Sequence, residues 1–367
     1  MKTKHLSLII ASLMLCIVAC KKSNLPAASP KTSGLSKSST SVDVYVAGYV
    51  MAGNGNSVAA YWKNGVLTRL TNDSTGNSVA YGIAVQGSDV YAAGLAPGDS
   101  SGTRGVCWKN GVAAMLYYGS YYSQAFSIAL QGNDVYVGGY IADANGGPEM
   151  ATYWKNGVGT VLPPSAVAGS YVNSIAVNGA DVYMAGVSGL TNYSQARAAY
   201  WKNGGSPITL SPVDPALSSF AYAIAVNGAD IYTAGSANGY VATYWKNDAP
   251  TQLGNAAING SYNYGMATNG TDVFVVGGTT QNNLDVATYW KNNVPVQLTA
   301  ASPLNSMAKA IALNGTDVYI AGSTFDNIFN NNTKAYYWKN GVPVQLSNIG
   351  AKGSWANSII LVKLTIL

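Results

Sequence analysis

An all-β fold of seven four-stranded blades closed into a ring is what this chain predicts, and three observations carry that prediction. The first is internal repetition. Tyr-Trp-Lys-Asn, or a close variant, recurs around Trp62, Trp108, Trp154, Trp201, Trp245, Trp290 and Trp338, 44 to 48 residues apart. Asp-Val-Tyr followed by Ala-Gly, with small variations, starts at Asp43, Asp89, Asp134, Asp181, Asp230, Asp272 and Asp317. Ile-Ala-Val-Asn-Gly appears at 175–179, as Ile-Ala-Val-Gln-Gly at 83–87, and in near-copies elsewhere. The second is periodicity: the units alternate in strand fashion and none has a 3.6-residue apolar period. The third is composition, with 41 Gly, 26 Tyr and only 10% charged residues, which suits turn-rich β structure.

The N-terminus reads as an address. Lys2 and Lys4 precede an apolar run over 6–19, which is short for a bilayer span and has the length of a signal-peptide core. It ends in Ile17-Val18-Ala19-Cys20, which resembles the lipobox of bacterial lipoproteins. That resemblance implies cleavage after residue 19, lipidation of Cys20 and durable attachment to a membrane. Lys21 in place of Asp resembles an outer-membrane sorting context, with the periplasmic side or the surface both open. Residues 20–42, rich in Ser, Lys and Pro, are expected to be a flexible tether, and 43–367 the repeat domain. Cys16 leaves with the signal and Cys20 takes lipid, so Cys107 stands alone and no disulfide framework is expected.

Each unit predicts four strands. Around Ile175 these are 174–177, 181–186, 199–202 and 207–210, with Asn203-Gly204 supplying the positive φ values of a type I′ turn. Four strands per roughly 45 residues is the arithmetic of β-propeller blades. The first unit lacks its first strand, whereas the chain ends in Ser-Ile-Ile-Leu-Val at 358–362, which matches one. The tail is therefore expected to pair with 43–48 and close the ring. The strand pair Ile-Ala-Val, short turn, Val-Tyr-x-Ala-Gly resembles bacterial seven-bladed β-propeller repeats over residues 43–367. The Gly-His and Trp-Asp signatures of WD repeats are missing, and the paired Gly of kelch repeats occurs in a minority of units (Gly138-Gly139, Gly277-Gly278). The resemblance implies a fold and hardly any particular function.

The repeated polar residues are read as structural. The seven Asp follow an X-Gly turn, where each carboxylate is expected to accept backbone N–H bonds and fix its hairpin. The Lys after each Trp is expected to blunt a sheet edge, and the seven Trp to fill the space between blades. Cys107 stands where the other units carry Tyr61, Tyr153, Tyr200, Tyr244, Tyr289 and Tyr337, which makes it a packing variant and not a nucleophile.

The formal charge of +5 is concentrated before Asp43; from there the chain holds 14 basic and 15 acidic residues, so a nucleic-acid partner is not expected. The lone His5 lies in the signal, which removes Ser-His-Asp and Cys-His nucleophile systems and His-based metal sites from the exported part. The remaining acids (Asp73, Asp99, Asp143, Glu149, Asp214, Asp248, Asp285, Asp326) are scattered, and no pair marks a glycosidase. No phosphate loop, dinucleotide fingerprint or calcium loop is present, so no cofactor or metal is expected.

The first-to-second and third-to-fourth turns are the repeated ones. The connections on the opposite face differ in length and sequence, through selection or through loop drift, and a binding surface is expected there. The second-to-third connections are 51–57, 97–104, 141–149, 187–197, 236–240, 279–286 and 323–334, and the fourth-to-first connections include 117–124, 163–172, 254–263 and 347–356. Tyr118, Tyr121, Tyr122, Tyr171, Tyr193, Tyr262 and Trp355 are the candidate ligand-binding residues, with Tyr117 beside them. Flat aromatic faces beside neutral Asn and Ser suit sugar rings or a protein hot spot, and low charge favours a neutral glycan. The expected function is that of a monomeric, non-catalytic envelope lipoprotein holding a glycan or protein partner. An architectural envelope component is the alternative, and a carbohydrate-active enzyme the third reading.

Overall fold

The computed structural model describes residues 40–72, 76–98, 102–117, 122–143, 147–163, 169–190, 196–211, 214, 216–237, 241–254, 261–298, 305–326 and 332–365. They form 28 strands in seven antiparallel four-stranded sheets. Blade 4 shows the plan: β12 (Gly169–Asn178), β13 (Asp181–Leu190), β14 (Arg197–Lys202) and β15 (Ile208–Thr209) pair in that order. Asn203 and Gly204 take φ of 53° and 73°, the left-handed pair a type I′ turn requires.

The ring closes through the tail. β28 (Gly353–Thr365) pairs with β1 (Thr40–Met51), including Asp43↔Val362 and Ala47↔Ser358. β2 (Ser57–Lys63) and β3 (Val66–Arg69) complete blade 1, so the chain's last strand lies innermost in its first blade. β1 starts at Thr40, three residues before the repeat boundary. The other innermost strands are β4 (Val79–Gln86), β8 (Tyr122–Gln131), β12, β16 (Phe220–Asn227), β20 (Ser261–Asn269) and β24 (Asn305–Asn314). Each touches the next, and β28 touches both β24 and β4, so these seven strands line the axis.

Blades are glued by indoles. All seven repeat tryptophans are fully buried, and Trp62 packs against Tyr319, Ala321 and Leu346 of the preceding blade. Some also reach a neighbouring backbone: among the described residues, Nε1 of Trp62, Trp201 and Trp245 donates to the carbonyls of Ser347, Pro163 and Ser211. Removing one such side chain costs about 3–5 kcal/mol in a packed core. A second staple went unread in the sequence. Ser78, Ser123, Ser170, Ser219, Ser261, Ser306 and Ser354, each five residues before the conserved-pattern Ile or Met of the innermost strand, accept a backbone N–H from the third strand of the previous blade at 2.9–3.4 Å.

Two readings of repeated charges need correction. The Asp carboxylates accept from side chains and not from the hairpin backbone: Asp181 Oδ1 takes Asn203 Nδ2 at 2.7 Å and Oδ2 takes Lys202 Nζ at 2.6 Å. The backbone N–H of Val182 goes instead to Asn203 Oδ1. The amide of the turn Asn, held by its positive φ, is simply closer to both groups than the neighbouring backbone is. The Lys therefore pairs an Asp across two inner strands of the blade and blunts no edge. The same triad recurs in every blade (Asp43, Asp89, Asp134, Asp230, Asp272 and Asp317 with their Lys). Each ammonium also stands 5.2–5.4 Å from the centre of a Tyr or Phe ring. Predicted loop 279–286 is a tight hairpin: β21 (Asp272–Gln281) and β22 (Leu284–Lys291) are joined by Asn282 and Asn283, both at positive φ.

Candidate functional site

The innermost strands are longer than their Ile-Ala-Val cores, and each carries one extra residue. The register skips Tyr81, Phe126, Asn173, Tyr222, Tyr264, Lys309 and Asn357, a β-bulge in every blade three residues after the staple serine. A bulge re-aims one side chain and bends its strand. Opposite it, on the second strand, stands the Gly of each Ala-Gly anchor (Gly48, Gly94, Gly139, Gly186, Gly235, Gly277, Gly322). A Cβ at any of these would collide with the carbonyl oxygen two residues before the bulge, such as Val79 O over Gly94 and Phe220 O over Gly235. The repeated Gly is thus a consequence of the bulge: the crowded strand leaves no room for a side chain.

The seven bulged residues form a belt around the axis near the loop-rich end. All are partly exposed, and three neighbouring pairs touch. Tyr81 and Phe126 meet edge to face at 5.5 Å, Tyr222 and Tyr264 lie 6.0 Å apart, and Lys309 Nζ sits 3.4 Å from the Tyr264 ring centre. Asn173 and Asn357 donate Nδ2 to the carbonyls of Ala221 and Ala80 in the following blade, which fixes both amides and leaves an acceptor oxygen on each. Small residues directly after the bulge, Gly82 and Gly265 among them, let the inner strands approach: a Cβ on Gly82 would press on Ile128 and Ser127. Burial raises the phenols of Tyr49, Tyr81, Tyr262 and Tyr264, the last to about 12. They remain neutral hydrogen-bond donors.

Of the residues singled out in the sequence, Tyr118, Tyr121, Tyr193 and Cys20 lie outside the described residues. Tyr122 opens β8 and is exposed; the Arg104 guanidinium stands over its ring at 6.0 Å and over Tyr117 at 5.7 Å. Tyr171, Tyr262 and Trp355 are strand residues, not loop residues, and they share one repeat position, two before the bulge. Trp355 stacks between Tyr49 at 6.2 Å and Phe325 at 5.7 Å, and Tyr262 packs on Tyr264 at 5.5 Å. The Tyr262 hydroxyl is buried with no hydrogen-bond partner among the described residues. Tyr262 and Trp355 thus stand one step toward the loops from the belt, on separate blades and each packed on neighbouring rings, and Tyr122 is left exposed at the start of β8. Cys107 is half-buried, its thiol pushed up to about 11 by burial, on a cleft of about 500 Å3 between blades 2 and 3. Among the described residues no three His, Cys, Asp or Glu side chains gather in a metal-binding group.

No family model matches the chain, and no curated protein does either. Among solved structures it is similar to a Mycobacterium tuberculosis puromycin-hydrolysing peptidase, with a TM-score of 0.53 and 14% identity over 83% of this chain and 51% of that one. The chain spans about half the length of that peptidase. A nidogen/laminin complex is also similar, with a TM-score of 0.42 and 8% identity over 88% of this chain and 98% of the other. At these identities the likeness concerns the fold, and only the first is close enough to bear on it.

Proposed function

We propose that the protein is a non-catalytic binding module that holds a glycan at the loop-rich mouth of its central channel. The observation that supports this most is the bulge belt, four of whose seven positions are aromatic (Tyr81, Phe126, Tyr222, Tyr264), with Trp355 and Tyr262 one step above. Aromatic faces stack on the apolar faces of sugar rings, while the phenol hydroxyls and the Asn173 and Asn357 amides supply neutral hydrogen bonds. Under the alternative of a purely architectural role, the ring contacts of the belt and the Asn173 and Asn357 bridges to the following blade serve packing alone. The same reading places the module in a bacterial envelope, tethered through a lipidated Cys20, and this is a proposal on the sequence alone.

A glycan array probed with the full-length protein in detergent tests the reading. Binding that is lost in both Tyr222→Ala and Trp355→Ala, with the melting transition retained, is expected. Binding untouched by either variant, or no glycan binding alongside co-purification with an envelope protein, overturns it.

A further inference from the structure

The belt contains one residue that the repeat does not call for. Of the seven innermost strands, six hold no charged side chain on the stretch between the staple serine and the Ile-Ala-Val core, and the seventh holds Lys309; the only other charge on these strands is Lys363, exposed near the end of the tail strand. Its six counterparts are Tyr, Phe and Asn. Every repeat lysine of the turn-side face has its own aspartate, yet Lys309 has none. Its one partner among the described residues is the face of Tyr264, at 3.4 Å. The carboxylate whose field reaches Tyr264 is that of Asp285. It accepts from Thr280 Oγ1 at 3.1 Å and makes no ion pair with Lys309. Lys309 is half-buried at its bulge position, and burial around its ammonium draws its pKa down to about 8. It is still mainly a cation at neutral pH, and a buried cation without a counter-ion is unfavourable. The fold tolerates here a charge that packing alone would replace by Met or Tyr.

We propose that Lys309 reads a carboxylate on the ligand, so that the glycan held in the channel is an acidic one, a uronic-acid sugar. This rests on the channel mouth being a glycan site and reverses the expectation of a neutral sugar. The geometry assigns the parts. The sugar ring lies against Tyr264 and Tyr222, and its carboxylate supplies the counter-ion that Lys309 lacks, in a site where a charge-assisted hydrogen bond is strong. The neutral Asn173 and Asn357 amides take hydroxyls. A peptide carboxylate offers the same charge but not a polyhydroxylated ring for the amides and aromatic faces, which is why the sugar is favoured.

Calorimetric titration of the full-length protein in detergent tests this, using oligogalacturonide, oligoglucuronide and alginate oligomers against neutral galactan and cello-oligosaccharides, with a poly-glutamate peptide as a further arm. At least one uronide is expected to bind about tenfold or more tightly than its neutral counterpart. Lys309→Met is expected to erase that ratio, and Lys309→Arg to keep most of it. Because Met relieves an unpaired charge, the melting temperature of Lys309→Met is expected to equal or exceed that of the wild type, which separates loss of a ligand contact from loss of fold. Neutral sugars binding as well as uronides, with Lys309→Met silent and Tyr222→Ala defective, overturns the carboxylate reading and leaves the glycan site standing. Poly-glutamate binding in place of every uronide overturns the sugar assignment. No binding to any saccharide overturns both.

Discussion

On the turn-side face Lys202 lies 2.6 Å from Asp181, stands over the Tyr183 ring at 5.3 Å, and has its pKa raised by the Asp181 and Tyr183 hydrogen bonds. On the axis Lys309 has the same kind of ring beneath it, no carboxylate, and a pKa lowered by burial. The first arrangement is repeated seven times and the second occurs once. Repetition marks what the fold needs: each Asp-Lys-Asn cluster ties the second strand to the third-to-fourth turn and satisfies its own charges. A position that is repeated in geometry, as the bulge is, but free in chemistry marks where the scaffold presents side chains to something else. The two faces of one ring therefore divide the labour, with closed electrostatics at the turns and open chemistry at the channel mouth.

The bulge side breaks most easily. Gly235→Ala places a methyl against the Phe220 carbonyl, so either the bulge is expelled and Tyr222 leaves the channel, or blade 5 shifts. Expected destabilisation is about 3 kcal/mol or more, at the upper end of overpacking costs, read by denaturant unfolding, with loss of any channel ligand. An unfolding midpoint like that of the wild type would mean that the bulge is not what holds Tyr222. The turn side breaks more mildly. Asn203→Ala removes the Asp181 and Val182 partners together and leaves a non-Gly, non-Asn residue at positive φ. It is expected to cost about 2 kcal/mol, without effect on channel binding.

Titration sharpens the contrast, because the two kinds of lysine respond to alkaline pH with opposite signs. The Asp of the clusters have pKa values lowered by Lys and Asn hydrogen bonds. Their stabilisation is present above the unfolded carboxylate range, near 3.8–3.9, and is lost as pH falls through the lower folded values. The cluster lysines are raised, so their contribution holds up to the unfolded Lys value of about 10.4 and disappears above it. Lys309 is lowered to about 8: its cost is fully present below that pH and is relieved as pH climbs toward the unfolded value. Facing it, Tyr264 stays protonated to about 12. Between pH 8 and 10 the wild type is expected to gain stability relative to Lys309→Met, and between pH 4 and 2 to lose it relative to Asp181→Asn. Parallel curves for the wild type and Lys309→Met across the alkaline window would show that the amine is not buried as described.

Blade count, strand order and tail closure were legible because each rests on a pattern that recurs seven times or on a conspicuous gap, the missing first strand before Asp43. The turn residues were legible as well, since Asn203-Gly204 names its own φ values. The belt was not. Residues 163–172 read as a connection and the strand as starting at Ser174, yet β12 already runs from Gly169 and the residue between the two spans, Asn173, is the bulge. Reading the repeat by position would have found it, since Ser-x-x-residue-small-Ile (Met266 in blade 6) recurs with Tyr, Phe, Asn or Lys at its fourth position. The carboxylate partners were missed for another reason: Asp181 and Asn203 are 22 residues apart, and a local turn rule looks only next door.

Cys107 gives the smallest effect and the finest comparison, between blade 2 and its six siblings. In those, a half-buried Tyr on the third strand covers the joint with the following blade, as Tyr153 does against the Val172–Ile175 cluster. In blade 2 the shorter Cys107 packs with Val135 and Leu130, and the phenol it lacks corresponds to part of the cleft bounded by Val112, Met115 and Val137. Cys107→Tyr restores the repeat's own solution, in a backbone that already accepts Tyr at that register in six blades. A gain of about 1 kcal/mol is expected, in line with about 25 cal/mol per Å2 of newly buried apolar surface offset by the entropy of fixing a ring, seen as a higher unfolding midpoint. A loss of stability instead would show that blades 2 and 3 have settled closer than the others, and that the cleft is a feature of this joint and not the outline of an absent side chain.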